Sequence, residues 1–157
     1  MTGSSRSALW PILTGGLIAG TLDILQACIL FGWDIPLAIA AGLLGKQAFH
    51  GGAGTYLLGL ALHYFIATTA TAIYYFVSGK LTFLAQNWVV CGIFFGMAVE
   101  LVMSLVVLPL SALHARGPYQ LHDLLLGLGM HMLTIGLPIA FIVFRFSRSV
   151  QRAASAS

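Results

Sequence analysis

Residues 88–110 read WVVCGIFFGMAVELVMSLVVLPL. A helix needs about 20 predominantly apolar residues to cross the hydrocarbon core of a bilayer. This stretch has that length, and Glu100 is its single charged side chain. Working outward, three more segments read the same way. One runs from about 9 to 32, with Trp10 at an interface and Asp23 inside. One runs from about 55 to 77, within a stretch free of Asp, Glu, Lys and Arg between Lys46 and Lys80, with His63 inside. One runs from about 121 to 144 and closes on Arg145, Arg148 and Arg152.

Composition agrees. The 157 residues are 59% hydrophobic and 7% charged, against roughly 45–50% and 25% in soluble domains. Seven basic and four acidic side chains are too few to coat a soluble globule. Disorder, a collagen-like chain, a disulfide scaffold and a cytosolic enzyme are excluded on these grounds. Cys28 and Cys91 both lie in apolar runs, where a lone cysteine behaves as a small hydrophobe. The net charge of +3 is spread between the apolar runs instead of forming a patch. No nucleic-acid module, GxSxG elbow, phosphate-binding loop or dinucleotide fingerprint occurs. Enzymatic activity is therefore not expected, and neither is a nucleic-acid partner.

Arg6 precedes the first apolar run, as in a signal peptide, but the run is long and shows no clear small-x-small cleavage site followed by a polar mature start. It reads as an uncleaved anchor. After it, Asp34-Ile35-Pro36 opens a short apolar stretch that ends at Gly45-Lys46. Asp34 suits a helix cap and Pro36 a first turn, which predicts a short helix over about 36–45. It is too short to span, so it is expected at the membrane interface or as a greasy loop. The stretch 147–157 reads as a flexible polar tail.

The expected fold is thus all-α: one transmembrane domain, residues 1–157, forming an integral-membrane four-helix bundle. An even number of spans puts both termini on one side. Arg6, Lys80, Arg145, Arg148 and Arg152 lie on that side, and Lys46 and Arg116 on the other. The bias predicts that both termini face the cytoplasm.

The chain also echoes itself. Leu57-Leu58-Gly59-Leu60-Ala61-Leu62-His63 matches Leu125-Leu126-Gly127-Leu128-Gly129-Met130-His131. Gly16, Gly20 and Asp23 correspond more weakly to Gly92, Gly96 and Glu100, and Ile35-Pro36-Leu37-Ala38 to Leu108-Pro109-Leu110-Ser111. These echoes predict two tandem transmembrane hairpins related by duplication, with a pseudo-twofold axis along the membrane normal.

The chain further resembles a group of small four-span bacterial inner-membrane proteins of no known activity. The resemblance rests on Ala19-Gly20-Thr21-Leu22-Asp23, Ala41-Gly42-Leu43-Leu44-Gly45, Ala48-Phe49-His50-Gly51-Gly52, Gly59-Leu60-Ala61-Leu62-His63, Val107-Leu108-Pro109-Leu110-Ser111-Ala112, and His131-Met132 with Gly136-Leu137-Pro138-Ile139-Ala140. It covers most of the chain, implies the four-span architecture and transfers no catalytic residue.

Each expected span carries one ionisable residue in its interior: Asp23, His63, Glu100 and His131. Such residues cost about 2.5–3.5 kcal/mol each on insertion scales and face the bundle interior. At ~1.5 Å per residue all four fall in one layer. Glycines one turn away mark the face on which neighbouring helices approach. Gln26 lies one turn from Asp23 and extends the layer. Thr134 lies one turn from His131, and Pro138 leaves the Thr134 carbonyl free to orient the imidazole or a water.

The layer has several readings. It can be polar glue between helices. It can be a proton or small-ion path, for which Asp, Glu and His are the usual material, with an oligomer thickening the thin wall of four spans. It can be a metal site built from His63, His131, Asp23 and Glu100, for zinc, iron or manganese, or a bis-histidine haem site between the two histidines. Met97, Met103, Met130 and Met132 read as core filler or soft copper ligands. His50, His114 and His122, with Asp123, read as solvated loop residues or a cation-collecting entrance. A last reading is a non-catalytic subunit of a larger membrane complex.

Overall fold

The computed structural model describes residues 3–115 and 120–155. Arg116 lies outside the described residues. No strand occurs among them. Four helices are long and apolar enough to cross a membrane: Ala8–Phe31, Ala53–Lys80, Trp88–Leu110 and Leu121–Arg148. Their positions agree with the sequence expectation to within a few residues.

Helix α1 spans Gly3–Phe31. A turn through Gly32, at φ 102°, leads to α2, Ile35–Leu44. Pro36 sits in the first turn of α2, as expected, whereas Asp34 makes no capping hydrogen bond. A single 3-10 turn, Lys46–His50, connects to α3, Ala53–Lys80. The short α4, Thr82–Gln86, turns the chain into α5, Trp88–Val102. The third span ends in α6, Leu108–Leu110, and the fourth is built of α7, Leu121–His131, and α8, Leu137–Ser155. α8 continues to Ser155, so residues 147–155 of the expected polar tail are helical.

Both spans of the second half contain a widened π turn, Met103–Val107 between α5 and α6 and Met132–Gly136 between α7 and α8. Each ends two residues before a proline, Pro109 and Pro138. The reason is steric. A proline ring collides with the carbonyl four residues back and offers it no N–H. The chain widens instead: the Leu108 N–H reaches Met103 O and the Leu137 N–H reaches Met132 O, five residues back in each case. The first half has no π turn among its described residues.

The spans pack as two hairpins. α1 lies along α3, and α5 lies along α7, α8 and the π turn between them. The hairpins join mainly through α1 against α8 and the Met132–Gly136 turn. A core of Ala19, Tyr74, Ile135, Ile139, Ala140 and Val143 ties all this together. There the Tyr74 ring meets Phe95 edge-on at 4.9 Å. α2 packs along the N-terminal part of α3, and a Cβ on Gly59 would run into the Pro36 backbone. The Ala112 N–H donates to Gly42 O at 2.8 Å, fixing α2 to the chain that leaves the third span. Ile29, Phe65, Phe94, Leu105 and Leu133 point outward and exposed, the surface a bundle presents to lipid.

The glycine contacts inside the two hairpins correspond. A Cβ on Gly16 would strike Thr68, and one on Gly20 would meet Tyr64 and Ala67. A Cβ on Gly92 would meet Gly136 and Ala140, and one on Gly96 would strike His131 and Met132. Gly16 and Gly20 map to Gly92 and Gly96 by one constant shift. Tyr64 and Thr68 map to Met132 and Gly136 by another, which also carries His63 onto His131.

Candidate functional site

Between the hairpins lies a cavity of about 390 Å³. Its walls come from α1, α2, α3 and the third and fourth spans, and Asp23, His63, Glu100 and His131 all line it. The rest of the wall is largely aliphatic, including Ile35, Ile39 and Ile66. Ala70, Val99 and Ile135 belong both to this wall and to the packing of the core, so the cavity ends on that core.

Within the layer each carboxylate keeps to the histidine of its own hairpin. In the second hairpin His131 Nδ1 lies 2.9 Å from Glu100 Oε2 and 3.2 Å from Gly127 O. Glu100 is only 7% exposed, and its Oε1 accepts from the Ser104 hydroxyl at 2.7 Å. A Cβ on Gly127 would meet the Glu100 carboxylate at 2.7 Å, so that glycine makes room for it. In the first hairpin the pairing is looser. His63 Nε2 lies 4.0 Å from Asp23 Oδ2 and donates to Gly20 O at 2.8 Å. The Tyr64 hydroxyl, next in sequence, lies 3.0 Å from Thr21 Oγ1.

These partners assign the ring protons. A carbonyl only accepts, so His63 carries its hydrogen on Nε2 and His131 on Nδ1. The opposite nitrogens, Nδ1 of His63 and Nε2 of His131, are left to take up a further proton.

His131 Nδ1 is held by Glu100 and Gly127, and Thr134 enters the layer through its hydroxyl. That hydroxyl lies 2.6 Å from Asp23 Oδ1 and 2.9 Å from Met130 O, crossing from the second hairpin to the first. Thr134 lies within the π turn Met132–Gly136. Gln26 does lie beside the layer. It lines an adjoining cavity of about 250 Å³ together with Asp23, Glu100 and His131, and its Nε2 contacts Met130 Sδ. Ser104 was missed. Its signal was its position four residues after Glu100, one turn along the same face.

The metal reading is not supported by this geometry: among the described residues no three His, Cys, Asp or Glu side chains converge as a metal would require. For the haem reading, His63 Nε2 and His131 Nδ1 are engaged by protein acceptors and the opposite ring nitrogens are the ones left open. Met103 is part of the cavity wall. His50, His114 and His122 line neither cavity. His114, at φ 48°, has its Nδ1 3.3 Å from Pro109 O, and His122 Nδ1 lies 3.1 Å from Asp123 Oδ1.

Fold and site together define a multipass, membrane-type helical bundle with two carboxylate–imidazole pairs on one cavity between its hairpins. No protein-family model, curated protein or solved structure matches the chain.

Proposed function

We propose that this chain is a bacterial inner-membrane protein, both termini cytoplasmic, that moves protons or another small ion through the Asp23/His63/Glu100/His131 layer as an oligomer. The observation that carries the reading is the shared cavity, with two carboxylate–imidazole pairs on its wall. A neutral imidazole beside a carboxylate takes one proton at its free nitrogen and returns it, with no other bond changed. The aliphatic remainder of the wall keeps that exchange away from bulk water. The core of Tyr74, Ile135 and Ile139 closes one end, so passage requires that end to open in turn, as in alternating access.

Two finer readings belong with it. The corresponding glycine contacts support an origin of the hairpins by duplication; an experimental structure with a rotation axis near the membrane normal and His63 on His131 would bear this out. The short α2, fixed between α3 and the exit of the third span, is read as an interfacial element over the cavity.

The test is reconstitution in vesicles with a pH-sensitive dye inside and an imposed potential. Proton or alkali-ion flux is expected, and alanine at both His63 and His131 should abolish it while insertion is retained. If the double variant loses only stability, the layer is glue between helices and the proposal fails.

A further inference from the structure

The cavity between the hairpins is larger and more apolar than the movement of a proton needs. Its volume is about 390 Å³. Sites for small organic molecules run from about 300 to 1,000 Å³ and combine an apolar wall with a few placed polar groups. A cavity of about 150 Å³ already takes up benzene. Protein interiors otherwise hold few voids larger than a water molecule. Ile24, Ile39, Ile66 and Leu108 bring aliphatic carbon to the wall from α1, α2, α3 and α6. A water or a bare ion needs several polar partners, and these side chains offer none. They match a hydrocarbon body.

The polar part of the wall selects in a second way. No Lys or Arg lines the cavity among the described residues. Both oxygens of Glu100 are engaged, by Ser104 and His131. Asp23 Oδ1 is engaged by Thr134, whereas Oδ2 has nothing nearer than His63 Nε2 at 4.0 Å. His63 Nδ1 and His131 Nε2 make no hydrogen bond among the described residues. None of these three atoms is sealed off, since Gln26 Oε1 is the only side-chain atom both buried and unpartnered among the described residues. With the ring hydrogens on His63 Nε2 and His131 Nδ1, all three are acceptors. The layer thus leaves unused a set of acceptors that includes a carboxylate oxygen, with no donor to match. A group that brings several N–H donors and a positive charge suits it, which describes an alkylammonium.

We infer that this cavity binds a small amphiphilic amine, its ammonium group at Asp23, His63 and His131 and its apolar body along the aliphatic wall. A carboxylate takes either a proton or the ammonium, so the amine displaces a proton from the layer on arrival and a proton replaces it on departure. No covalent bond changes. The inference rests on the ion-moving reading of this layer and names the organic partner with which the proton trades places.

The test reads binding apart from transport. Fluorine NMR follows a fluorophenyl-butylamine in nanodiscs that hold the protein, with empty nanodiscs as the reference. Two analogues keep the body and replace the ammonium by a methyl or by a carboxylate group. The amine should bind at least about tenfold tighter than either, the scale of hydrogen bonds to a charged group. Asp23→Asn should remove most of that preference. Ala70→Leu puts bulk into the cavity and should abolish binding, and Ile66→Phe is the second variant should the first fail to fold. Equal binding of the three probes, a preference for the amine that survives Asp23→Asn, or binding that ignores the filled cavity overturns the inference. Proton flux that needs His63 and His131, in a protein that binds no amine, leaves the proposed function standing and overturns this one. Amine binding without flux of any ion overturns the proposed function and leaves a binding site without the exchange.

Discussion

The Thr134 hydroxyl lies 2.6 Å from Asp23 Oδ1, and this contact ties the two hairpins together at the level of the polar layer. Thr134→Val removes the donor with little change of shape. Interhelical hydrogen bonds in membranes average about 0.6 kcal/mol and reach about 1.7, so a loss of about 1 kcal/mol is expected. Thr134→Ser should restore most of it. Reversible unfolding in mixed detergent micelles measures both.

The glycines are not equivalent. A Cβ on Gly96 would come 2.5 Å from His131 O and 2.6 Å from Met132 Cα, whereas one on Gly129 would meet nothing within 4 Å. Gly96→Ala should therefore cost about 1–3 kcal/mol through forced backbone shifts. Gly129→Ala should be neutral or slightly stabilising, since alanine is the better helix former by up to about 1 kcal/mol. Thermal unfolding of the two variants in detergent compares them directly.

Much of this was legible in the residues. Glu100 alone in a long apolar run announces a span, and the cost of an intramembrane charge predicts which way it points. The four ionisable residues do meet on one cavity. The partner of Thr134 was not legible. On a regular helix, residues 131 and 134 share a face, which led to His131 as the expected neighbour. The π turn at Met132–Gly136 breaks that phase, and a proline signals a disturbance without saying whether the helix kinks or widens. The loose Asp23–His63 pair and the tight Glu100–His131 pair look alike in sequence. What separates them is the Gly20 carbonyl, a backbone group with no letter of its own. Helicity past Ser147 was also hidden, because Ser, Arg and Gln read as a tail until the helix before them is known to continue.

Pro138→Ala tests the cause of the π turn. The variant gains an N–H and loses the ring, so the Thr134 carbonyl can be bonded four residues on, as in a regular helix. The stretch Met132–Gly136 should then tighten, turning Thr134 away from Asp23. Carbonyl chemical shifts of these residues by solid-state NMR should move to ordinary α-helical values, and ion flux should fall. Unchanged shifts would mean that packing against α5, not the proline, holds the turn open.

The topology follows from charge. In the proposed topology Arg6, Lys80, Arg145, Arg148 and Arg152 are expected on one side of the four spans and Lys46 and Arg116 on the other, from their places in the sequence. A reporter active only in the cytoplasm, fused after Ser157, should therefore be active. One fused in the loop after α2 should be silent. Reversing both signals would invert the bundle and place Asp123 inside the cell.

The two carboxylate–imidazole pairs should differ in coupling energy. Glu100 Oε2 and His131 Nδ1 are at 2.9 Å, and the Ser104 hydroxyl holds the same carboxylate from its other oxygen at 2.7 Å. Removing His131 leaves Glu100 buried with an unmade bond at Oε2. Asp23 and His63 are at 4.0 Å, and each has a nearer partner, Thr134 and the Gly20 carbonyl. A double-mutant cycle with alanine at Glu100 and His131 should give a coupling of about 1–2 kcal/mol, at the upper end for interhelical bonds. The same cycle at Asp23 and His63 should give about 0.5 kcal/mol or less. The cycles are read by unfolding in detergent, independently of any flux. Equal couplings would show that the first pair closes to contact in the membrane, making the two hairpins alike in strength as well as in the order of their residues.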